Sequence, residues 1–196
     1  MIFDKSLRYG YPLETWKNLK NLPNESWIDV NGFKGLFQLS NYGRIKSLHR
    51  IVKNGSGYRR KSEKIVLSAP NKKGYYRKNF IKDNKRITFY ISRIVALHFS
   101  NNINNKSEVN HIDGNKNNNH ISNLEWVTRI ENITHALRTG LRKIKQVNQT
   151  DPISQKVIRI FSNTHEVSKY LNIKYDWAKN IIRLKKIYKG YLWSYK

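Results

Sequence analysis

Between Val109 and Ala136 the chain reads VNHIDGNKNNNHISNLEWVTRIENITHA, and this stretch leaves little freedom of fold. EVNHI and LEWVT alternate as two short strands, and Asp113-Gly114 opens the loop between them. Thr128-Arg129-Ile130-Glu131 fits a capping box, with Thr128 as N-cap and Glu131 at the third helical position. The helix is expected to run to about Arg138, with Gly140 just past its end. Ile130, Ile133 and Leu137 are expected to pack. Asn132 and His135, three apart, share one face. The plan is strand, loop, strand, helix, crowded with Asn and His and without Cys.

Those residue types suit metal-assisted phosphodiester cleavage. That reaction needs a base for water, a divalent cation for the leaving 3′ oxygen, and a group that holds the base in one tautomer. His111 on the first strand can be the base. Asn123, just before the second strand, can orient its imidazole through the side-chain carbonyl. Asn132 on the helix can coordinate the cation. Asp113 reads as an Asx-turn residue, His120 as a structural or solvent-exposed loop histidine, and Asn115, Asn117, Asn118 and Asn119 as turn chemistry.

Lys and Arg number 38 against 13 Asp and Glu, a formal charge of +25. Such a particle repels itself unless a polyanion neutralises it, and nucleic acid is the first candidate. No amphipathic basic helix favours a membrane surface instead. The chain has no Cys, which excludes disulfide frameworks and Cys-ligated zinc. No window approaches a membrane span, and MIFDKSLRYGYPLETW lacks a signal-peptide pattern, so a soluble intracellular protein is expected. Hydrophobic residues make up 38%, which predicts several small modules with thin cores rather than one large core.

Residues 1–24 hold one short expected helix ending near Pro23 and have no assigned role. From Trp27, apolar runs broken by Asn31-Gly32 and Tyr42-Gly43 predict strands near 27–30, 36–39 and 44–48. Residues 49–86 are basic and strand-like, and ITFYISRIVALHFS starts as a strand and closes as a helix. Residues 141–155 look like a linker ending in Asp151-Pro152. Residues 156–196 read as strand (156–161), helix (164–171), turn, helix (175–184) and strand (190–195). Asn163 offers the N-cap with a reciprocal Glu166. Val167, Tyr170 and Leu171 face inward, and Tyr175, Lys179 and Arg183 face outward as in a DNA recognition helix.

The motif V-N-H-I-D-G-N-K-x-N-N, then N-L-E-W-V-T, then E-N-x-x-H-A resembles the HNH nuclease motif. That motif is a ββα-metal finger, here in the variant of phage and intron-encoded homing endonucleases. The resemblance implies His111 as general base, Asn123 as the residue that orients it, and Asn132 as a metal ligand. It makes Asn110 a metal ligand too, where the family usually has a stronger donor, with Asp113 or His135 as further candidates. Residues 26–48 resemble another nuclease-associated module, carried by E-S-W-x-D-V-x-G-F-x-G-x-F-Q-L-S-N-Y-G-R-I-K-S-L. By that resemblance Arg59, Arg60, Lys72, Lys73, Arg77 and Lys78 line DNA. The C-terminal pattern, ending Gly190-Tyr191-Leu192-Trp193, resembles a modular DNA-binding repeat of intron-encoded nucleases.

The expected class is therefore α+β, an extended multi-module chain. It comprises an extension (1–24), an N-terminal antiparallel β region (25–100), the HNH finger (101–140), a linker (141–155) and a helix-turn-helix (156–196). The expected activity is site-specific DNA hydrolysis of the homing type, nicking one strand of double-stranded DNA as a monomer. Mg²⁺ is the expected cation, with Mn²⁺ as the alternative and no small-molecule cofactor. If the chain is phage-encoded, as the resemblance suggests, its place is the bacterial cytoplasm. The competing expectation is a non-catalytic DNA-binding regulator with a decayed site.

Overall fold

The computed structural model describes residues 7–8, 11–83 and 85–196, which divide into two compact units, Met1–Thr134 and His135–Lys196.

The first unit opens with two short antiparallel strands, Leu7–Arg8 and Tyr11–Pro12, and a short helix, α1 (Leu13–Lys17), which stops at extended Asn18, well before Pro23. A four-stranded antiparallel sheet follows, in the order Trp27–Asp29, Phe37–Ser40, Ile45–Ser47, Lys64–Ile65. Its first three strands lie where Asn-Gly and Tyr-Gly punctuation predicts them. Arg50–Asn54 and Gly57–Lys61 form a separate two-stranded ribbon. Lys85–Tyr90, Tyr76–Lys82 and Ala69–Pro70 form a third sheet. Helix α2 (Ile91–Phe99) starts directly from Tyr90, and its Ile91, Ile94 and Val95 are buried at helical spacing.

The finger is the hairpin Glu108–His111 and Leu124–Val127 with helix α3 (Arg129–Arg138). Its capping box forms as expected: Thr128 N donates to Glu131 Oε2 at 2.6 Å, and Glu131 N to Thr128 Oγ1 at 3.2 Å. Packing follows the expectation only in part: Ile133 and Leu137 are half-buried. No residue of α3 is buried, and Ile130 is 78% exposed. The finger is anchored by its hairpin instead. Leu124 joins Phe37, Leu39, Phe80 and Ile94 in one buried cluster, with Val109 and Ile121 packed against it. The β region and the finger thus share a core rather than holding one each. Fully burying a side chain such as Phe80 stabilises by roughly 1.5–3 kcal/mol, so a short hairpin gains most by adding to an existing core.

Arg44 joins residues before 25 to this unit. Its side chain and that of Glu25 are both fully buried and ion-paired at 2.5 Å. The guanidinium also donates to the carbonyls of Lys20 and Asn18. It lies 5.9 Å from the ring centre of Trp16, itself buried.

The second unit is a four-stranded antiparallel sheet, ordered Val157–Phe161, Val147–Thr150, Tyr191–Tyr195, Ile187–Tyr188, with helices α4 (Thr164–Leu171) and α5 (Tyr175–Arg183). The expected linker therefore contains a strand. Residues 147–150 take an inner place in the sheet because Val147, Gln149 and Thr150 are buried between two partner strands. Asn163 caps α4 through Glu166 N, Glu166 Oε2 accepts from Ser162 N, and Asn172 takes the left-handed conformation at the turn. Val167, Leu171, Ala178, Ile181, Ile182 and Trp193 are buried together. Tyr170, expected inside, is 50% exposed and only leans its ring on Phe161 and Trp193. No helix among the described residues is long and apolar enough to cross a membrane.

Candidate active site

The hairpin register puts Asn110 opposite Glu125 and His111 opposite Leu124. Both Asn110 and His111 are buried at the end of their strand. His111 is buried, and its Nε2 lies 3.1 Å from Asn119 Oδ1. The amide oxygen only accepts, so Nε2 carries the proton and Nδ1 keeps its lone pair. Among the described residues nothing bonds Nδ1. Burial pushes the imidazole below its ordinary value, partly opposed by the Asn119 bond and by Asp113. The ring is neutral at pH 7, with one basic nitrogen to offer.

Asn123 does something other than expected. Its Oδ1 accepts from Asp113 N at 3.0 Å, and its Nδ2 donates to Asp113 Oδ1 and Asn118 O, both at 2.9 Å. Asn123 therefore shapes the loop, and Asn119 meets the ring. Asp113 forms the Asx turn through Asn115 N at 2.7 Å and also accepts from Asn118 Nδ2 at 2.7 Å. His120 caps the short 3₁₀ turn Ile121–Asn123, accepting from Ser122 N.

Asn110 donates its amide N–H to Glu125 Oε1 at 2.8 Å. Asn132, on α3, donates likewise to Glu108 Oε2 at 2.6 Å. In both amides the nitrogen is committed to a carboxylate, which leaves Oδ1 as the free donor atom. Two hard amide oxygens with carboxylates behind them fit a Mg²⁺-type ion, which keeps several waters and takes substrate phosphate oxygens. Among the described residues no three His, Asp or Glu side chains group as a metal cluster. His135 follows Asn132 three residues later on α3.

A cleft of about 330 Å³ opens beside Asn132 and Glu108, lined also by Lys73, Tyr75, Tyr90 and Arg93. Arg93 donates to Ser107 O at 2.8 Å. Tyr75 has its ring centre 6.1 Å from that of His111, and Lys116 Nζ lies 4.5 Å over it. Burial, then the charges of Glu108 and Tyr90, raise the Tyr75 phenol. Asn119, Glu108, Glu125 and Tyr75 carried no functional assignment from sequence. Only the Asn110–Glu125 pairing had a readable signal, the register of two aligned strands.

The basic candidates divide. Arg59 and Arg60 are exposed neighbours on the ribbon and so point to opposite faces, as do Arg77 and Lys78 on their strand. Lys78 is half-buried and donates to Leu67 O at 3.3 Å, and burial and nearby Lys64 lower its ammonium. Lys72 and Lys73 are exposed on the turn before Tyr76. A cleft of about 820 Å³ is lined by Arg50, Arg59, Arg60, Lys64 and Lys78. On α5, Lys179 and Arg183 are exposed, and Tyr175 stacks on His165 at 4.2 Å.

Two family models match the chain: a NUMOD4 motif over residues 25–81 and an HNH endonuclease over residues 89–133. The chain is 34% identical over 137 residues to DNA endonuclease I-HmuI of Bacillus phage SP01, covering 69% of this chain and 72% of that protein. It is 34% identical over 162 residues to HNH endonuclease L245 of Acanthamoeba polyphaga mimivirus, covering 81% of this chain but only 45% of that longer protein. Among solved structures, one of DNA binding and cleavage by the HNH homing endonuclease I-HmuI matches with TM-score 0.50 and 27% identity. The match covers 87% of this chain and 98% of that one.

Proposed function

The chain belongs to the HNH endonuclease family, and we propose that it cuts DNA with His111 as general base and one divalent cation held by Asn110 and Asn132. What supports this is the buried imidazole with Nε2 tied to Asn119 and Nδ1 left basic, together with two amides, Asn110 on the same strand and Asn132 on α3, whose nitrogens are held by carboxylates and whose oxygens are free. His111 Nδ1 takes a proton from water, and the resulting hydroxide attacks phosphorus in line. Asn119 keeps the ring in the productive tautomer, and Asn123 keeps the loop that carries Asn119 closed. HNH nucleases work with a divalent metal. Here Mg²⁺ is our assignment, and it supplies positive charge for the leaving 3′ oxygen. The products are a 5′ phosphate and a 3′ hydroxyl.

The cleft beside Asn132 suits a single phosphodiester, with Lys73 and Arg93 supplying positive charge. The ribbon residues Arg59 and Arg60, the turn residues Lys72 and Lys73, and Arg77 add phosphate contacts. Lys78 contributes less, being half-buried. In the second unit, α5 acts as the recognition helix of a helix-turn-helix, with Lys179 and Arg183 presented to DNA. One active site cuts one strand, so a monomer nicks. If phage-borne like its SP01 relative, the enzyme works in the bacterial cytoplasm.

The test is a supercoiled plasmid carrying the chain's native genomic neighbourhood, incubated with Mg²⁺ or with EDTA. Relaxation only with metal, lost in His111→Ala with DNA binding kept, supports the proposal. Equal cleavage in EDTA contradicts it.

A further inference from the structure

The base is held by Asn119, and Asn119 is held by the β region. The strands Phe37–Ser40 and Ile45–Ser47 are joined through Asn41-Tyr42-Gly43, closed by Ser40 N to Arg44 O at 2.9 Å and Gly43 N to Ser40 O at 2.8 Å. Gly43 has φ +79°, the left-handed position that a three-residue hairpin loop requires. This tip presses on the catalytic loop at three consecutive residues. A Cβ on Gly43 would lie 3.1 Å from Asn119 Cβ and 2.8 Å from Ile91 Cγ2. The ring centre of Tyr42 is 4.3 Å from that of His120, edge to face. Ile121 N donates to Asn41 O at 2.8 Å.

The tip is fixed from behind as well. Tyr42 Oη donates to Pro23 O at 2.8 Å, and Asn41 Oδ1 accepts from Ser26 N at 3.0 Å. Asn119 is itself 2% exposed and donates to Asn117 O at 3.2 Å, so its amide has one orientation.

We propose that the 41–43 hairpin tip is a positioning strut for catalysis: by seating Asn119 it holds the proton on His111 Nε2 and keeps Nδ1 free. The β region is then part of the catalytic apparatus, in addition to any contact it makes with DNA. This rests on His111 being the base.

The experiment uses the full chain with isotope-labelled histidine, reading the His111 tautomer from ring-nitrogen NMR shifts. Cleavage kinetics and DNA affinity are measured in parallel. Asn119→Ala is expected to split the proton between both ring nitrogens and to lower kcat about 10²-fold, the cost of a small misplacement, with KM and DNA affinity unchanged. Asn119→Asp keeps an acceptor at Nε2 and is expected to restore the wild-type tautomer. Gly43→Ala is expected to shift the tautomer in the same direction as Asn119→Ala. Phe33→Leu, a core truncation in the same region, is expected to lower stability without moving it.

A wild-type tautomer in both Asn119→Ala and Gly43→Ala overturns the strut. The NMR readout is independent of cleavage, so the two ideas fail separately. If His111→Ala cleaves normally while the tautomer still moves, the base assignment is wrong. If His111→Ala is dead while the tautomer stays put, the strut is wrong.

Discussion

Replacing Asn110 by Asp changes the protein differently with and without metal. Asn110 is only 8% exposed and its amide N–H bonds Glu125 Oε1 at 2.8 Å. Aspartate has no donor, so the bond is lost and Glu125 faces a second carboxylate. The lost hydrogen bond alone costs roughly 1–3 kcal/mol. Coulomb's law at an effective dielectric of about 20 and roughly 3 Å gives about 5 kcal/mol of repulsion. That is an upper bound, because Glu125 is exposed and can swing into water. A net loss of about 2 kcal/mol lowers Tm by about 4–8 °C in EDTA. A bound cation reverses the sign, since the two carboxylates then face positive charge. If the Asn110→Asp protein binds Mn²⁺ tenfold more tightly, it gains about 1.4 kcal/mol at saturating metal relative to wild type. Thermal unfolding with EDTA and with a Mn²⁺ series measures both effects. Adding Glu125→Gln to Asn110→Asp should restore the EDTA value. A variant whose Tm matches wild type in EDTA and rises no further with Mn²⁺ would show that Asn110 is neither tied to Glu125 nor near a cation.

Glu108 holds the Asn132 amide, so Glu108→Gln should weaken Mn²⁺ binding about 10–100-fold, whereas His135→Ala should leave it unchanged; Mn²⁺ paramagnetic resonance reads both. Arg44→Ala strands the buried Glu25 carboxylate and should cost about 3–5 kcal/mol, seen in urea unfolding of the full chain. The His111 imidazole is held below its ordinary value of 6.5, so its basic form persists under acid. Protons bind it more weakly folded than unfolded, so its contribution to stability is full above pH 6.5 and is lost as pH falls below that value. For the same reason the acid limb of the cleavage profile should lie below pH 6.5; a limb above about pH 7 would contradict the burial argument.

Local rules found most elements. The Thr128–Glu131 box, the Asn163 cap and the Asn-Gly and Tyr-Gly turns are made of neighbouring residues, and each forms where the sequence puts it. What failed was long-range. Val147–Thr150 is short and sits in a basic stretch, so only its two sheet partners reveal it as a strand. Ile130 has the spacing of a core residue, but the finger buries its hairpin and leaves the helix outside. Arg44 is one of 38 Lys and Arg residues, and its burial depends on Glu25 and on carbonyls more than twenty residues away. In the site, the positions of His111 on the first strand and Asn132 on the helix were legible from the element pattern. Among the asparagines of one loop, composition could not tell which meets the ring, because that depends on how the loop folds around Asp113 and on what Gly43 presses against it.

The most direct measurement is single-turnover cleavage of DNA carrying the native genomic neighbourhood, comparing wild type with His111→Ala in Mg²⁺ and in EDTA, with DNA affinity measured alongside. The expected result is metal-dependent nicking by wild type and a rate about 10²–10⁴-fold lower in the variant, at equal affinity. Cleavage by His111→Ala at the wild-type rate, or cleavage by wild type in EDTA, would contradict a His111-based, cation-dependent nuclease.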